Sequence, residues 1–369
     1  MPTLYIHPRK GLFQLTRCKD CGHNFQCQNC DANLVTYRTS TYKMELICHQ
    51  CQSFYSYPNK CSICASQNIS SMFAGIDELI NALDSLSGQK SFQFGSKNAA
   101  PDWFKKISTG LVDKIEAETK MAPEGVMDEE SLTFSDQQTG FKIQITQNKS
   151  KLNILSDVLE NLAQGENVVT TRVFDPQLNY FKFNKIVFVQ ADNLLASPDY
   201  LVQEDTHKQL AEVLARVNPE STIYFDTVSP ENAFFNTLLT LNSIHPENQS
   251  VSNWYKSFLL KESGLREKFK FPPFYNLLLI TSQEKDKQKS LSILHDIKNY
   301  LLTIKAELPE IEIGSPYPAR FLKRKNMFSY HILLRYPKGY SRFSVLRQTV
   351  GSLALQKHLQ IRLNPKHLF

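Results

Sequence analysis

Three absences frame this sequence. It has no run of about eighteen apolar residues, so no membrane-spanning helix is expected. The start, Met1 to Lys10, has no apolar stretch ahead of a small-residue cleavage site, so no secretory signal is expected. Cysteine is missing from everything after Cys64, a distribution foreign to disulfide-stapled secreted folds. Compositional bias is missing too. With 41% hydrophobic and 21% charged residues among 369, this is an ordinary globular chain, long enough for two or three domains. The net charge of +6 permits a nucleic-acid partner without demanding one.

What is present is concentrated. All eight cysteines lie between Cys18 and Cys64, as four Cys-x-x-Cys pairs: Cys18/Cys21, Cys27/Cys30, Cys48/Cys51 and Cys61/Cys64. Two intervening residues let a tight knuckle aim both sulfurs at one point, and zinc takes four such sulfurs at about 2.3 Å in a closed tetrahedron. Four knuckles therefore predict two structural sites with no open position for catalytic water. Disulfides, redox-active pairs and an iron–sulfur cluster are the competing readings; iron–sulfur ligation shows denser cysteine runs. His23 and His49 sit beside or inside knuckles and are expected to be spectators. Between the second and third knuckles, Leu34 to Tyr37 and Met44 to Ile47 read as a hairpin. It would make a ribbon of Cys27, Cys30, Cys48 and Cys51. Sequential pairing of the knuckles remains open on spacing alone.

Elsewhere strand candidates alternate with helices: Leu4 to Ile6, Lys142 to Thr146, a helix over Lys151 to Leu162, Ile186 to Val189, a helix over Thr206 to Val217, and Thr222 to Phe225. The stretch from Gly88 to Thr139, with its acidic run Asp128-Glu129-Glu130, is aperiodic and reads as loosened or inserted. The last third reads as strand Leu277 to Thr281, helix Lys287 to Glu307, strands Ile311 to Ile313 and His331 to Tyr336, helix Phe343 to Lys357 and strand Leu359 to Leu363. That βαββαβ order predicts a ferredoxin-like split βαβ sandwich. Within it Arg320-Phe-Leu-Lys323-Arg324-Lys325 and Tyr330 mark a candidate nucleic-acid surface, since cations neutralise phosphates and aromatic faces stack bases. The alternative is a solvated basic loop beside core aromatics.

Taken together, Arg17-Cys-Lys-Asp-Cys-Gly22, Cys27-Gln-Asn-Cys30, Leu34-Val-Thr-Tyr37, Cys48-His-Gln-Cys51 and Cys61-Ser-Ile-Cys64 resemble the zinc module of the PriA family, the replication-restart helicases also called primosomal protein N′. Leu4-Tyr-Ile6 and Arg9-Lys-Gly11 resemble the strand that leads into that module. Fainter likenesses follow at Phe73 to Leu79, Lys185 to Asp192, Ser197 to Tyr200 with Glu204, Thr227 to Glu231, Pro272-Pro273-Phe274, Gly314 to Ala319 and Ile361 to Pro365. The resemblance implies an α/β chain: a RecA-like second helicase lobe at 1–14 and 71–255, a double zinc module at 15–70 and an α+β C-terminal domain at 262–369. It implies nested pairing of the knuckles, with one zinc on Cys18, Cys21, Cys61 and Cys64 and the other on Cys27, Cys30, Cys48 and Cys51. It further implies forked or single-stranded DNA as a ligand, replication-restart or single-strand-binding proteins as partners, and a cytoplasmic, nucleoid-associated setting without membrane attachment.

The departures bear on activity. The phosphate-cradling Gly-x-x-x-x-Gly-Lys-Ser/Thr of a helicase is missing, as is an Asp-Glu-x-His; Met1 falls at the family's second-lobe entry strand, so the first motor lobe is expected to be absent. The family's Gln-x-x-Gly-Arg-x-Gly-Arg is matched by Glu212-Val-Leu-Ala215-Arg216-Val-Asn218-Pro219, which retains Arg216 and loses both glycines and the last arginine. The Gly-Thr-Gln-Met strand exit is replaced near Thr170 to Val173. An arginine finger is worth powers of ten in rate, so no catalytic residue beyond Arg216 is nominated and ATP is not expected to be used by this chain alone. The competing expectations are a split helicase whose first lobe is a separate chain, and a catalytically dead scaffold for protein partners.

Overall fold

The computed structural model of the chain describes residues 2–40, 43–95, 141–148, 165–242, 251–354 and 359–368. The helix expected over Lys151 to Leu162, the acidic run Asp128 to Glu130 and most of the stretch Gly88 to Thr139 lie outside the described residues.

Along the chain run β1 (Thr3–Ile6), β2 (Phe13–Cys18), β3 (Val35–Ser40), β4 (Lys43–Ile47), β5 (Phe54–Ser56) and β6 (Ile69–Ala74). Helix α1 (Ile76–Ser87) follows, then β7 (Phe92–Gln93), β8 (Lys142–Gln147), β9 (Asn167–Thr170) and β10 (Lys185–Phe188). Helix α2 (Val202–Leu214), β11 (Thr222–Thr227), α3 (Ala233–Leu239) and α4 (Val251–Lys268) come next. The chain continues with β12 (Tyr275–Glu284), α5 (Lys287–Thr303), β13 (Glu312–Ile313), β14 (Tyr317–Arg324), β15 (Met327–Pro337), α6 (Phe343–Ala354) and β16 (Leu359–Leu363). No described helix is long and apolar enough to cross a membrane.

These elements fall into two compact units, and the chain alternates between them. The first takes in Met1–Gln14, Ser71–Ser197 and Gln203–Phe258; the second takes in Leu15–Ser70, Pro198–Val202 and Leu259–Phe369. The cysteine-rich segment and the C-terminal third thus belong to one compact body.

The first unit is built on a six-stranded sheet ordered β7-β9-β1-β10-β11-β8 with every pairing parallel. Central parallel strands are covered on both faces, which demands continuous apolar runs. Leu4, Tyr5 and Ile6 of β1, Val168 and Val169 of β9, and Ile186 to Phe188 of β10 meet that demand and are all buried. Each such side chain contributes about 1.5–3 kcal/mol by leaving water. Helix α1 buries Ile76, Leu79 and Leu83, one stripe of a 3.6-residue period, and ends at Gly88 with φ of 66°. Its N-terminus has no side-chain cap. Instead the N–H groups of Gly75, Ile76 and Asp77 donate to the carbonyls of Leu12, Arg9 and Gly11, satisfying donors that the helix itself cannot. Helix α2 starts four residues ahead of the sequence expectation, and α1, α3, α4 and β9 were not anticipated at all. Helix α4 buries only Val251, Ser252, Trp254 and Tyr255, all in its first turns, so it never shows a full apolar stripe.

The second unit holds two sheets. One is ordered β5-β4-β3-β2-β6 and carries the cysteines; its β3–β4 pair is the antiparallel hairpin expected from the sequence. The other is ordered β13-β15-β12-β16, with β14 added on β15. Its strands obey a two-residue period. Leu278 and Ile280 of β12, with Ile332 and Leu334 of β15, face Leu294, Ile297 and Leu301 of α5. Leu277, Leu279 and Leu333 point the other way, against Leu368, Tyr200 and Phe271. The basic stretch Arg320 to Arg324 is a correction to the loop reading: it is strand β14. Its alternation is hidden because the strand mixes Arg, Lys, Phe and Leu and breaks register with β15 between Pro318 and Lys323.

Two predictions follow from the first unit. A Cβ at Gly75 would lie 2.1 Å from the Gly11 carbonyl oxygen and 2.9 Å from that of Lys10. Gly75→Ala is therefore expected to cost about 1–3 kcal/mol, read from urea midpoints; an unshifted midpoint contradicts the close approach. His7 is fully buried between the carbonyls of Ala74 and Val189, 3.0 and 3.3 Å from its ring nitrogens. Burial pushes its pKa down to about 4, and neighbouring Arg9 pushes the same way, against the pull of the two carbonyls. With the folded value below the unfolded one of about 6.5, His7 contributes stability above that pH that is lost on acidification. Between pH 7.5 and 5.5 the wild type should lose about 1 kcal/mol more than His7→Gln; parallel losses would show that His7 is not held neutral.

Candidate metal centres

The four knuckles repeat one local structure. In each, the residue after the second cysteine donates its N–H to the carbonyl of the first: Gly22 to Cys18, Asp31 to Cys27, Gln52 to Cys48 and Ala65 to Cys61, at 3.0, 2.9, 2.8 and 3.0 Å. The first cysteine's own N–H returns to the carbonyl five residues on, at His23, Ala32, Ser53 and Ser66. Closing that ring puts the residue after the second cysteine at positive φ: 76° at Gly22, 50° at Asp31, 65° at Gln52 and 59° at Ala65. Gly22 adopts this freely and Asp31 is of a type that tolerates it, whereas at Gln52 and Ala65 it carries a backbone cost that the convergence of the sulfurs can offset.

The sulfurs are drawn into two groups. Cys18, Cys21, Cys61 and Cys64 form one and Cys27, Cys30, Cys48 and Cys51 the other, with the ligand atoms of each within 4.8 Å of one another. The Sγ separations Cys18–Cys64, Cys21–Cys61 and Cys27–Cys51 are each 3.6 Å. A disulfide needs about 2.05 Å, and all eight cysteines are free. A tetrahedron of sulfurs at about 2.3 Å from a central ion has edges of about 3.8 Å, so both clusters have the size and donor set to hold a metal ion. The first cluster leaves Cys21 and Cys64 exposed; the second is more enclosed, with Cys27, Cys30 and Cys48 buried. Around the second cluster the Ser53 hydroxyl lies 3.0 Å from Cys51 Sγ and the Tyr55 hydroxyl 3.2 Å from Cys27 Sγ. The Ser53 hydrogen bond brings the Cys51 thiol down to about 6, while burial pushes Cys48 up to about 12. In the first cluster the Cys21 backbone N–H brings Cys18 down to about 7. Ser53 and Tyr55 were not singled out from sequence; their only signal is a hydroxyl two and four residues past a knuckle. His23 and His49 are outside both groups: His49 Nε2 bonds the Tyr37 hydroxyl at 2.9 Å, and His23 packs edge-on to Phe25.

The basic stretch is divided. Arg320, Arg324 and Lys325 are exposed, but Lys323 is half-buried with its Nζ 2.7 Å from the Gln28 carbonyl. Tyr330 is packed into the core against α5, so its faces are not open for stacking; of the five residues nominated for DNA contact, it is withdrawn. Arg216 follows the end of α2, where its guanidinium pairs with the Glu212 carboxylate and sits 5.0 Å over the Phe174 ring. Its charge is thus balanced by a residue in the last turn of α2. Asp192, which ends the segment Lys185 to Asp192 that resembles the family, and Asp226 act as braces. Asp192 accepts from the Thr227 hydroxyl and the Val228 N–H at 2.6 and 3.0 Å, and Asp226 from the Gln190 N–H at 3.3 Å.

Cys27→Ser removes one of four donors from the enclosed cluster. Elemental analysis of the purified variant is expected to show one metal ion fewer per chain, with loss of ordered structure across the β3–β4 hairpin by NMR. A soluble variant with undiminished metal content contradicts a metal centre there.

Comparisons with known proteins agree with this architecture. Residues 267–366 match the family model of the primosomal protein N C-terminal domain. The replication restart protein PriA of Haemophilus influenzae is 22% identical over 358 residues, which is 96% of this chain and 40% of that protein. The Bacillus subtilis replication restart protein PriA is 20% identical over 363 residues, covering 96% of this chain and 37% of its own length. A probable replication restart protein PriA of Deinococcus radiodurans is 38% identical over 62 residues, 17% of this chain. The chain thus spans about two fifths of the length of the first two relatives. Residues 267–366 thus match the C-terminal domain of primosomal protein N, and over 96% of its length the chain is similar to replication restart proteins PriA.

Proposed function

We propose that this chain is a PriA-type replication-restart factor that binds forked or single-stranded DNA, is held together by two structural zinc ions, and has no ATPase activity of its own. The observation that carries this reading is the union, in one compact unit, of two four-sulfur clusters with the segment matched by the primosomal C-terminal domain. Zinc is favoured because all-sulfur tetrahedral sites suit it and the spacing is not that of ferredoxin-type clusters. With four sulfurs per site there is no place for an activated water, so the ions would act as staples.

The remaining assignments rest on arrangement. An all-parallel sheet with β1 at its centre and helices between strands supports a RecA-like lobe. The sheet order β13-β15-β12-β16, with α5 and α6 as the crossovers and β14 added at β15, supports a ferredoxin-like C-terminal domain. Arg320 and Arg324, exposed two steps of alternation apart on β14, together with Lys325 offer cations to phosphates. Against hydrolysis stand Pro219 in place of the family's final arginine and the pairing of Arg216 with Glu212. Replication-restart and single-strand-binding proteins are the partners that the relationship to PriA suggests.

Fluorescence anisotropy with forked and single-stranded DNA across a salt series tests this, with ATP hydrolysis followed on the same samples. Affinity should fall steeply with salt, and Arg320→Ala/Arg324→Ala should flatten the log–log slope by about 2. Absence of binding at low salt would favour the protein scaffold, and DNA-stimulated hydrolysis would favour the split helicase.

A further inference from the structure

The tip of the β14–β15 hairpin reaches one cysteine cluster. Arg324 pairs with Met327, so the turn is the two residues Lys325 and Asn326, both at positive φ (49° and 60°), as tight hairpin turns require. From this tip the Lys325 N–H points to Cys30 Sγ at 3.4 Å, and the Asn326 N–H donates to the Asn29 carbonyl at 2.9 Å. Behind it, the Lys323 ammonium donates to the Gln28 carbonyl at 2.7 Å and lies 4.0 Å from the Asp31 carboxylate. Phe321 packs into the cluster of Cys27, Cys30, Leu34, Leu46 and Cys48. Each of these contacts lands on the knuckle Cys27–Asp31 or on the apolar shell around it.

We propose that this hairpin is a metal-dependent clasp: loading of the Cys27/Cys30/Cys48/Cys51 centre fastens the C-terminal domain to the ribbon, and the clasped hairpin in turn retains the ion. The proposal rests on the metal reading above. A divalent ion held by four thiolates leaves net negative charge on the sulfurs, and a thiolate accepts an N–H more strongly than a thiol does. The Lys325 N–H and the Lys323 ammonium are therefore matched to the loaded centre. The knuckle also presents the carbonyls of Gln28 and Asn29 in place only while its sulfurs are gathered. Partners behind metal ligands alter metal affinity about 10–100-fold, and the effect is reciprocal: whatever the ion adds to docking, docking adds to ion affinity.

The test uses the full chain. Elemental analysis fixes the metal content, and a chromophoric chelator follows release. Cys48→Ser and Cys64→Ser, each lacking one centre, assign the release phases. In Lys323→Met and Phe321→Ala, release from the Cys27/Cys30/Cys48/Cys51 centre should accelerate roughly tenfold, with the other phase unchanged. Reciprocally, amide exchange over residues 321–328 should rise in Cys48→Ser and not in Cys64→Ser, while β12 stays protected in both. Unchanged release in Lys323→Met, or hairpin protection indifferent to Cys48→Ser, overturns the clasp. Two ions with unresponsive release sink the clasp alone; a chain without bound metal sinks the zinc reading with it. Should Phe321→Ala fail to fold, Lys323→Met carries the decision.

Discussion

Gathering four sulfurs at a point is the interaction on which the cysteine-rich segment depends. Residues 15–70 bury few large apolar side chains beyond Leu34, Val35 and Leu46, while the entropy of ordering each residue is about 1–2 kcal/mol. On the zinc reading proposed above, each ion would supply about 10–16 kcal/mol of folding free energy, which is the scale that such a segment needs. The backbone is shaped for the same end. Gln52 and Ala65 hold left-handed conformations that their side chains resist, and the four knuckles nevertheless close alike.

The enclosed centre is where this local chemistry meets the fold. Its ribbon shares a compact unit with the C-terminal sheet, and the meeting place is a hairpin turn seated against Cys30. Basic residues that look like one surface are therefore split between two tasks. Lys323 is committed to the Gln28 carbonyl, whereas Arg320 and Arg324 stay exposed. The same physics withdraws Tyr330: on a strand with a two-residue period it falls on the side facing α5, and an aromatic ring there gains more from burial than from water.

In the parallel-sheet unit the polar residues at the strand and helix ends have structural partners. Arg216 answers Glu212 and Phe174, and Asp192 and Asp226 tie the exits of β10 and β11 to each other through Thr227, Val228 and Gln190. The sheet itself rests on apolar runs such as Leu4 to Ile6 and Ile186 to Phe188 and not on the residues at the strand ends.

By itself the sequence determined the knuckles, the β3–β4 hairpin, strands β1, β8, β10 and β11, and β12, α5, β13, β15, α6 and β16 of the C-terminal third, since each rests on local spacing or on a hydrophobic period that neighbouring residues carry. It did not reveal β14, α1 or α4: β14 mixes charge and apolar residues across a register break, α1 takes its N-terminal cap from the carbonyls of Arg9, Gly11 and Leu12 far back in the chain, and α4 buries only its first turns. Only the tertiary structure decided which knuckles share a centre, because sequential and nested pairing have the same local geometry and differ only in how distant strands bring Cys18 to Cys64 and Cys27 to Cys51. It alone placed the Lys325 N–H against Cys30, a contact between residues 295 positions apart that no local pattern encodes.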